Sequence, residues 1–320
     1  MELVSVLLPV FNVDRYIEAT VNSILNQTYS NIEIIVVDDS STDNTYSIVQ
    51  KMQKSDGRIK LYKNRRNLQI ANTLNIAFQN CHGDYICRMD GDDVSHPERI
   101  EKKLNYLKSN PEISLVGCSV KSVNETGDLL SCKKMLSNQS IIHKTLKYAS
   151  PVFHIWLARR EVYEQLKGYR HIPYVEDYDF LLRMTSLGYK YTNISEYFGY
   201  SIRLRSGNTI SSAGILQRKA HRYCYKLYQL RNHGYEDNFS IKDFNNYVQT
   251  NPIEYKLFQK SNTLLQKALF IKKRISLGKM GYVFLAYLLS NEQRKYINGR
   301  LRVLFLVKIN SINRSNRFTS

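Results

Sequence analysis

The sequence predicts an α/β protein: a mainly parallel central sheet with helices on both faces, followed by a basic, mainly helical extension. Three observations predict it. Short β-branched runs alternate with helix-forming segments through residue 93, two of those runs end on acidic clusters, and positive charge gathers in the final third. The 320 residues carry a formal net charge of +18. Residues 201–320 hold 22 Lys and Arg against 5 Asp and Glu, whereas residues 1–200 hold 24 against 23. A nearly neutral body and a basic last third imply two different jobs. With 14 Gly and 6 Pro, collagen-like and low-complexity architectures fail.

Val4-Ser5-Val6-Leu7-Leu8-Pro9-Val10 is a short apolar run, read as a buried strand. A helix is expected from about Arg15 to Gln27. Ile32-Glu33-Ile34-Ile35-Val36-Val37 is the second buried strand and ends on Asp38-Asp39. The segment Ser40-Ser41-Thr42-Asp43-Asn44-Thr45 supplies cap residues for a helix to about Lys54. Arg58 to Tyr62 reads as a third strand, and Ile70 to Asn80 as a helix with Ile70, Leu74 and Ala77 on one face. Asp84 to Met89 is a fourth strand, ending on Asp90-Gly91-Asp92-Asp93. Ligands of such sheets sit beyond the carboxyl ends of the strands, where these acids fall.

Asp90 and Asp92 are hard oxygen ligands two residues apart on a loop, a spacing that suits Mg²⁺ or Mn²⁺ completed by substrate phosphates. The plainer alternative is a solvated acidic turn. Asp38 and Asp39 can accept from a ribose hydroxyl or a base N–H, or can cap the following helix. Glu176-Asp177 precedes a helical pattern from Phe180 that Gly188 ends, so the acids serve a helix start unless they face the ligand. Neither GxGxxG nor GxxxxGK[ST] occurs, which removes the main support for dinucleotide and P-loop chemistry. Five Cys form no CxxC pair and are odd in number, which argues against a disulfide framework and for a reducing cytosol. Met1-Glu2-Leu3-Val4 has no basic n-region, so no secretory signal is expected.

Taken in order, Val4 to Asn12, Ile34 to Asp43, Gly83 to Asp93, Pro97-Glu98-Arg99, Gly168-Tyr169 and Glu176 to Asp179 resemble the inverting glycosyltransferases of family 2, with the GT-A fold. The resemblance covers roughly residues 3–210. It implies a nucleotide-sugar donor, most often a UDP-sugar, over the first three strands. Pro9, Phe11 and Asn12 match the loop lining the nucleoside, and Asp39 the acid that reads the base. Asp90 and Asp92 match the metal–diphosphate acids, with Mn²⁺ or Mg²⁺ implied, and Asp177 matches the general base.

Two departures stand out. The third loop carries Asn67-Leu68-Gln69, where the family often has Gly after Asn-Leu. Near residue 203 many members carry Arg-x-His, and this chain has Arg203-Leu204-Arg205 before Ser206-Gly207-Asn208-Thr209. An Arg cannot ligate a metal as His can, but it binds phosphate through a fork, so Arg203 and Arg205 are read as diphosphate contacts on a closing loop, with simple surface charge as the alternative. His154 lies in a segment that resembles a His-bearing one in the family, and an acceptor-side place for His154, Glu176 and Trp156 competes with simple core packing.

The expected division is a catalytic domain over 1–215, with a nucleotide-sugar half (1–100) and an acceptor half (101–215), and a basic extension over 216–320. There Lys and Arg interleave with aromatic residues, as in His221 to Tyr228 and Lys272-Lys273-Arg274-Ile275. Two apolar stretches, Tyr282 to Leu289 and Leu301 to Val307, are too short to span a bilayer but suit an anionic membrane surface, the alternative being a helical bundle packed on the catalytic body with a solvated basic face. A lipid-linked glycan acceptor at the inner face of the cytoplasmic membrane, as in O-antigen, capsule or lipooligosaccharide synthesis, would fit. The competing readings are a nucleotidyltransferase, which lacks its Gly-rich basic first loop here, and a nucleic-acid binder, for which no helix-turn-helix, zinc-finger or RRM signature is present.

Overall fold

The computed structural model describes residues 1–205, 214–270 and 276–315. The chain divides into two compact units, one of residues 1–142 and 151–208, the other of residues 143–150 and 209–320.

The first unit runs β1 (Val4–Val10), α1 (Ile17–Leu25), β2 (Ile32–Asp38), α2 (Thr45–Ser55), β3 (Ile59–Lys63), α3 (Gln69–Gln79), β4 (Tyr85–Arg88), β5 (Val94–Ser95), α4 (Arg99–Ser109), β6 (Ile113–Val123) and β7 (Leu129–Lys133). After α5 (Gln139–Thr145), which crosses the unit boundary, come β8 (Leu157–Arg159), α6 (Arg160–Gln165), α7 (Glu176–Ser186) and β9 (Lys190–Arg203). The sheet order is β3-β2-β1-β4-β8-β6-β9-β5, with β7 beside β6. Strands β3, β2, β1 and β4 are parallel, whereas β8 runs antiparallel to β4 and β6. The sheet is thus mixed, and parallel along β3-β2-β1-β4.

Both β1 and β2 are buried along their whole length, which is why they read as continuous apolar runs rather than alternating ones. One sheet face packs Val6, Leu8, Ile34 and Val36 with Ile17, Val21 and Ile24 of α1 and Ile100, Leu104 and Leu107 of α4. Each such side chain contributes about 1.5–3 kcal/mol by leaving water. Helix α3 covers β1 and β2 with Ala71, Leu74 and Ala77 buried. The register pairs Val10 with Asp38 and Leu7 with Arg88. The loops after β1, β2 and β4 therefore leave the sheet along one edge.

The second unit is helical: α8 (Gly214–Asn232), α9 (Ile241–Val248), α10 (Pro252–Phe270), α11 (Leu277–Leu289) and α12 (Asn291–Ser315). Ser240 and Ser276 cap α9 and α11 by accepting from the N–H of Asp243 and Lys279. Ion pairs Lys219–Glu254 and Arg222–Glu292 and the bond from Ser261 Oγ to the Ala286 carbonyl tie its helices together. The two apolar stretches expected from the sequence fall in α11 and α12, while Lys272-Lys273-Arg274-Ile275 and Ser206 to Thr209 lie outside the described residues. Leu277, Met280, Phe284 and Leu288 form an exposed stripe on α11, and Leu301, Leu304 and Phe305 one on α12. Among the described residues no helix is long and apolar enough to cross a membrane.

Candidate active site

The loops after β1 and β2 are sewn to each other. Asn12 sits at φ 51°, a left-handed conformation that Asn tolerates, and its Oδ1 accepts from the Thr42 N–H at 2.9 Å. Its own N–H donates to Ser41 Oγ, and that of Val13 to Thr45 Oγ1. Pro9 is buried inside β1, while Phe11 is 44% exposed just beyond it, available to a flat ligand.

Asp38 and Asp39 part company. Asp38 is fully buried and accepts from the Ser41 N–H at 2.9 Å. It serves the turn into α2, and its Oδ2 is buried without a hydrogen-bond partner. Asp39 accepts from Asn64 Nδ2 and the Leu68 N–H at 2.7 and 2.8 Å through Oδ1, and from the Gln69 N–H at 3.0 Å through Oδ2. The carboxylate thus takes two N–H groups at the start of α3, sharing that of Gln69 with Asn67. Asn67 is exposed there, and its Oδ1 accepts from the Gln69 N–H. Gln69 lies at φ 66°, so the backbone keeps the conformation that glycine favours although the residue is not glycine.

Beyond β4 the structure gathers Asp90, His154, Glu176 and Asp177 around Arg88. The Arg88 guanidinium donates from Nη1 to Glu176 Oε1 at 3.0 Å and lies 3.5 Å from Asp90 Oδ1 through Nε. His154 stands between two acids. Its Nε2 is 2.8 Å from Asp90 Oδ2, in ion-pair contact outside hydrogen-bond angles, and its Nδ1 is 3.8 Å from Asp177 Oδ2. Burial disfavours the charged imidazole, but Asp90 and Asp177 outweigh it and push its pKa up to about 10. Burial likewise opposes ionisation of Asp90 and Asp177, yet His154 and Arg88 hold both carboxyls below the usual range. Asp177 therefore stands ionised in the first turn of α7, with its side chain 23% exposed. Glu176 is nearly buried, burial raises its pKa, and its carboxylate faces Arg88. It supports the arginine and is not an acceptor contact, contrary to expectation.

Trp156 is also corrected. It is fully buried, donates from Nε1 to the Tyr163 hydroxyl at 2.9 Å and stacks on Phe180 and Tyr169, so no sugar reaches its face.

The loop carrying Asp90-Gly91-Asp92 is packed closely. A Cβ on Gly91 would lie 2.9 Å from Val10 Cγ1, which explains the small residue between the acids. Thr20 Oγ1 donates to the Gly91 and Asp93 carbonyls, and the Asp90 N–H donates to the Tyr200 hydroxyl. Arg203 is not a diphosphate contact: its guanidinium donates to the carbonyls of Asp92, Asn124 and Glu125 and lies over the Tyr16 ring. It brackets the loop from behind. Arg205 does face the acids, with Nε 2.6 Å from Asp92 Oδ2. Beside it a cavity of about 170 Å³ is lined by Asn12, Val13, Asp14, Arg15, Tyr16, Glu125 and Arg205.

A divalent ion at this loop would compete with the cations already paired to its carboxylates. Here Asp90 lies between Arg88 and His154, and Asp92 against Arg205. Asp93 accepts from the Arg203 N–H, and burial together with Asp90 and Asp92 pushes its carboxyl up to about 8. Among the described residues no group of three His, Cys, Asp or Glu is placed to hold a metal. With cations on Asp90 and Asp92, these side chains as placed do not form a resident metal site by themselves.

Sequence reasoning missed Arg88, Arg99 and Lys103. Arg99 and Lys103 are buried on α4 and both donate to the Ile155 carbonyl, fixing the backbone beside His154. The available signals were a charge inside the apolar run of β4 and two basic residues four apart within the apolar face of α4.

Comparison with known proteins bears on the fold and the family. An uncharacterized glycosyltransferase of Haemophilus influenzae is 37% identical over 58% of this chain, and the match spans 61% of that relative's length. The O-antigen biosynthesis glycosyltransferase WbnJ of Escherichia coli is 31% identical over 67% of this chain and 84% of its own. Among solved structures, Staphylococcus aureus TarS 1-349 in complex with UDP-GlcNAc superposes with a TM-score of 0.60 at 17% identity, covering 97% of this chain and 92% of that one. The mannosyltransferase PcManGT of Pyrobaculum calidifontis, solved with GDP-Man and Mn²⁺, gives 0.56 at 18% identity, over 94% and 86%. The fold is therefore GT-A with a helical C-terminal region. The profile described as Glycosyl transferase family 2 matches residues 5–184, more than half of the sequence, and the chain belongs to that family.

Proposed function

We propose that this chain transfers a sugar from a nucleoside-diphosphate donor, a UDP-sugar, to an acceptor hydroxyl in one displacement that inverts the anomeric centre. One observation carries the reading: His154 joins an ionised carboxylate in the α7 first turn, Asp177, to Asp90 on the β4 loop. Asp177 takes the proton of the acceptor hydroxyl as that oxygen attacks the anomeric carbon. The bond from that carbon to the diphosphate oxygen breaks on the opposite face, through an oxocarbenium-like state. Charge leaving on the diphosphate meets the guanidinium of Arg205. Phe11, Asn12, Asp39 and Asn67 hold the nucleoside at the ends of β1 to β3. TarS was solved with UDP-GlcNAc and PcManGT with GDP-Man, which supports a nucleotide-sugar here.

The acceptor is a lipid-linked glycan of surface-polysaccharide synthesis, in keeping with relatives whose names cite O-antigen and amylovoran biosynthesis. The catalytic work belongs to residues 1–215 and membrane attachment to 216–320, where apolar stripes on α11 and α12 lie among basic residues. The working place is then the inner face of the cytoplasmic membrane, and nucleic acid is not a partner.

Thermal stabilisation by UDP-, GDP-, CMP- and dTDP-sugars tests the donor, since a ligand at a hundredfold excess over its Kd adds about 2.7 kcal/mol. Asp177→Asn should keep that stabilisation and lower transfer by about a hundredfold to ten-thousandfold. Unchanged turnover would reassign the base.

A further inference from the structure

This chain places a permanent cation directly on the second acid of its Asp90-Gly91-Asp92 loop. Arg205 Nε lies 2.6 Å from Asp92 Oδ2, with the two side chains 24% and 15% exposed. The contact is built from several sides. Arg203 clamps the carbonyls of Asp92, Asn124 and Glu125, and its N–H donates to Asp93 Oδ1 at 2.7 Å. The Leu204 N–H donates to the Val123 carbonyl at 2.8 Å, so the backbone leading into Arg205 is held to the same loop. Arg205 then borders the cavity that Asn12, Asp14, Arg15, Tyr16 and Glu125 complete, next to the loop leaving β1.

A guanidinium offers five N–H donors in a planar fork, and the Nε contact to Asp92 engages one of them. Phosphate oxygens are the natural acceptors for such a fork. The same group neutralises Asp92, which would otherwise repel a diphosphate, and unlike a histidine it cannot ligate a metal. A divalent ion entering here would first have to break the Arg205–Asp92 pair and then sit beside the displaced positive charge.

We propose that Arg205 is the resident counter-cation of the donor diphosphate, taking the place of a divalent ion at Asp92, so that nucleoside-diphosphate binding does not require metal. The inference rests on the reading of the chain as a nucleotide-sugar transferase.

The test is calorimetric binding of UDP and GDP to the full chain, in EDTA and then in Mn²⁺ or Mg²⁺. The wild-type protein should bind one of them with Kd values agreeing within about twofold across these conditions. Arg205→His should lose about tenfold to a hundredfold in EDTA, the range for a charge-assisted contact, and recover with Mn²⁺. Arg205→Lys keeps the charge without the fork and should stay metal-independent with weaker binding, which covers the case of a histidine variant that does not fold. Wild-type binding that vanishes in EDTA and returns with Mn²⁺ overturns the inference and leaves the transferase reading standing. Absence of binding by either nucleotide under every condition overturns the donor reading itself.

Discussion

His154 is the residue on which the site's charge balance turns. Its folded pKa is about 10 against an ordinary 6.5. A group raised in the folded state stabilises it fully below the unfolded value, and the contribution disappears as pH climbs through the folded one. His154→Gln should therefore lower the melting temperature most at pH 6 and leave it nearly unchanged above pH 10. A constant difference across that range, read by thermal denaturation, would show that the imidazolium is not the stabilising form. Arg88 gives a second prediction at this scale. It is buried between Glu176 and Asp90, so Arg88→Met strands two carboxylates and should cost about 3–5 kcal/mol, read from urea unfolding. The acids of this cluster were legible in the sequence because each closes a strand or opens a helix. Their meeting was not, since His154 lies 64 residues from Asp90 and 23 from Asp177, and local patterning carries no information on such distances.

Among the elements, helix α3 shows most clearly how a local rule was broken. Its expected span, 70–80, differs from the observed Gln69–Gln79 by a single residue at each end. Gln69 nevertheless adopts φ 66° so that its N–H reaches Asp39. A left-handed non-glycine residue costs about 1–2 kcal/mol, while glycine gives back about 0.4–1 kcal/mol through the unfolded chain. Gln69→Gly should thus stabilise the protein slightly, by about 1 kcal/mol or less, and a lower urea midpoint would contradict it. Strands β1 and β2 were legible because burial along their whole length makes them nearly continuous apolar runs. The 14-residue β9 and the three-residue β8 were not: β9 alternates polar and aromatic residues, and β8 is too short to announce itself.

For the molecule as a whole, the charge asymmetry was the strongest compositional signal and remains a guide to experiment. Phe284 and Leu288 are 61% and 52% exposed on α11. Replacing both with Glu should leave melting unchanged and sharply reduce sedimentation with anionic vesicles, because apolar insertion and electrostatic attraction are lost together. Raising salt should weaken wild-type binding in the same assay, each basic residue at the surface being worth about 1 kcal/mol. Retained binding by the double variant would assign the helices a packing role.

The clamp at Arg203 and Leu204 has a consequence for supply. The Cα of residue 205 follows that anchor by one peptide, about 3.8 Å, so the cation at Asp92 is on a very short leash. A tethered charge has no dissociation equilibrium with bulk solution, and its local concentration survives dilution and chelation alike. Under the proposal made for Arg205, donor occupancy would follow the nucleotide-sugar pool and not free manganese or magnesium, and glycan assembly would continue through metal starvation.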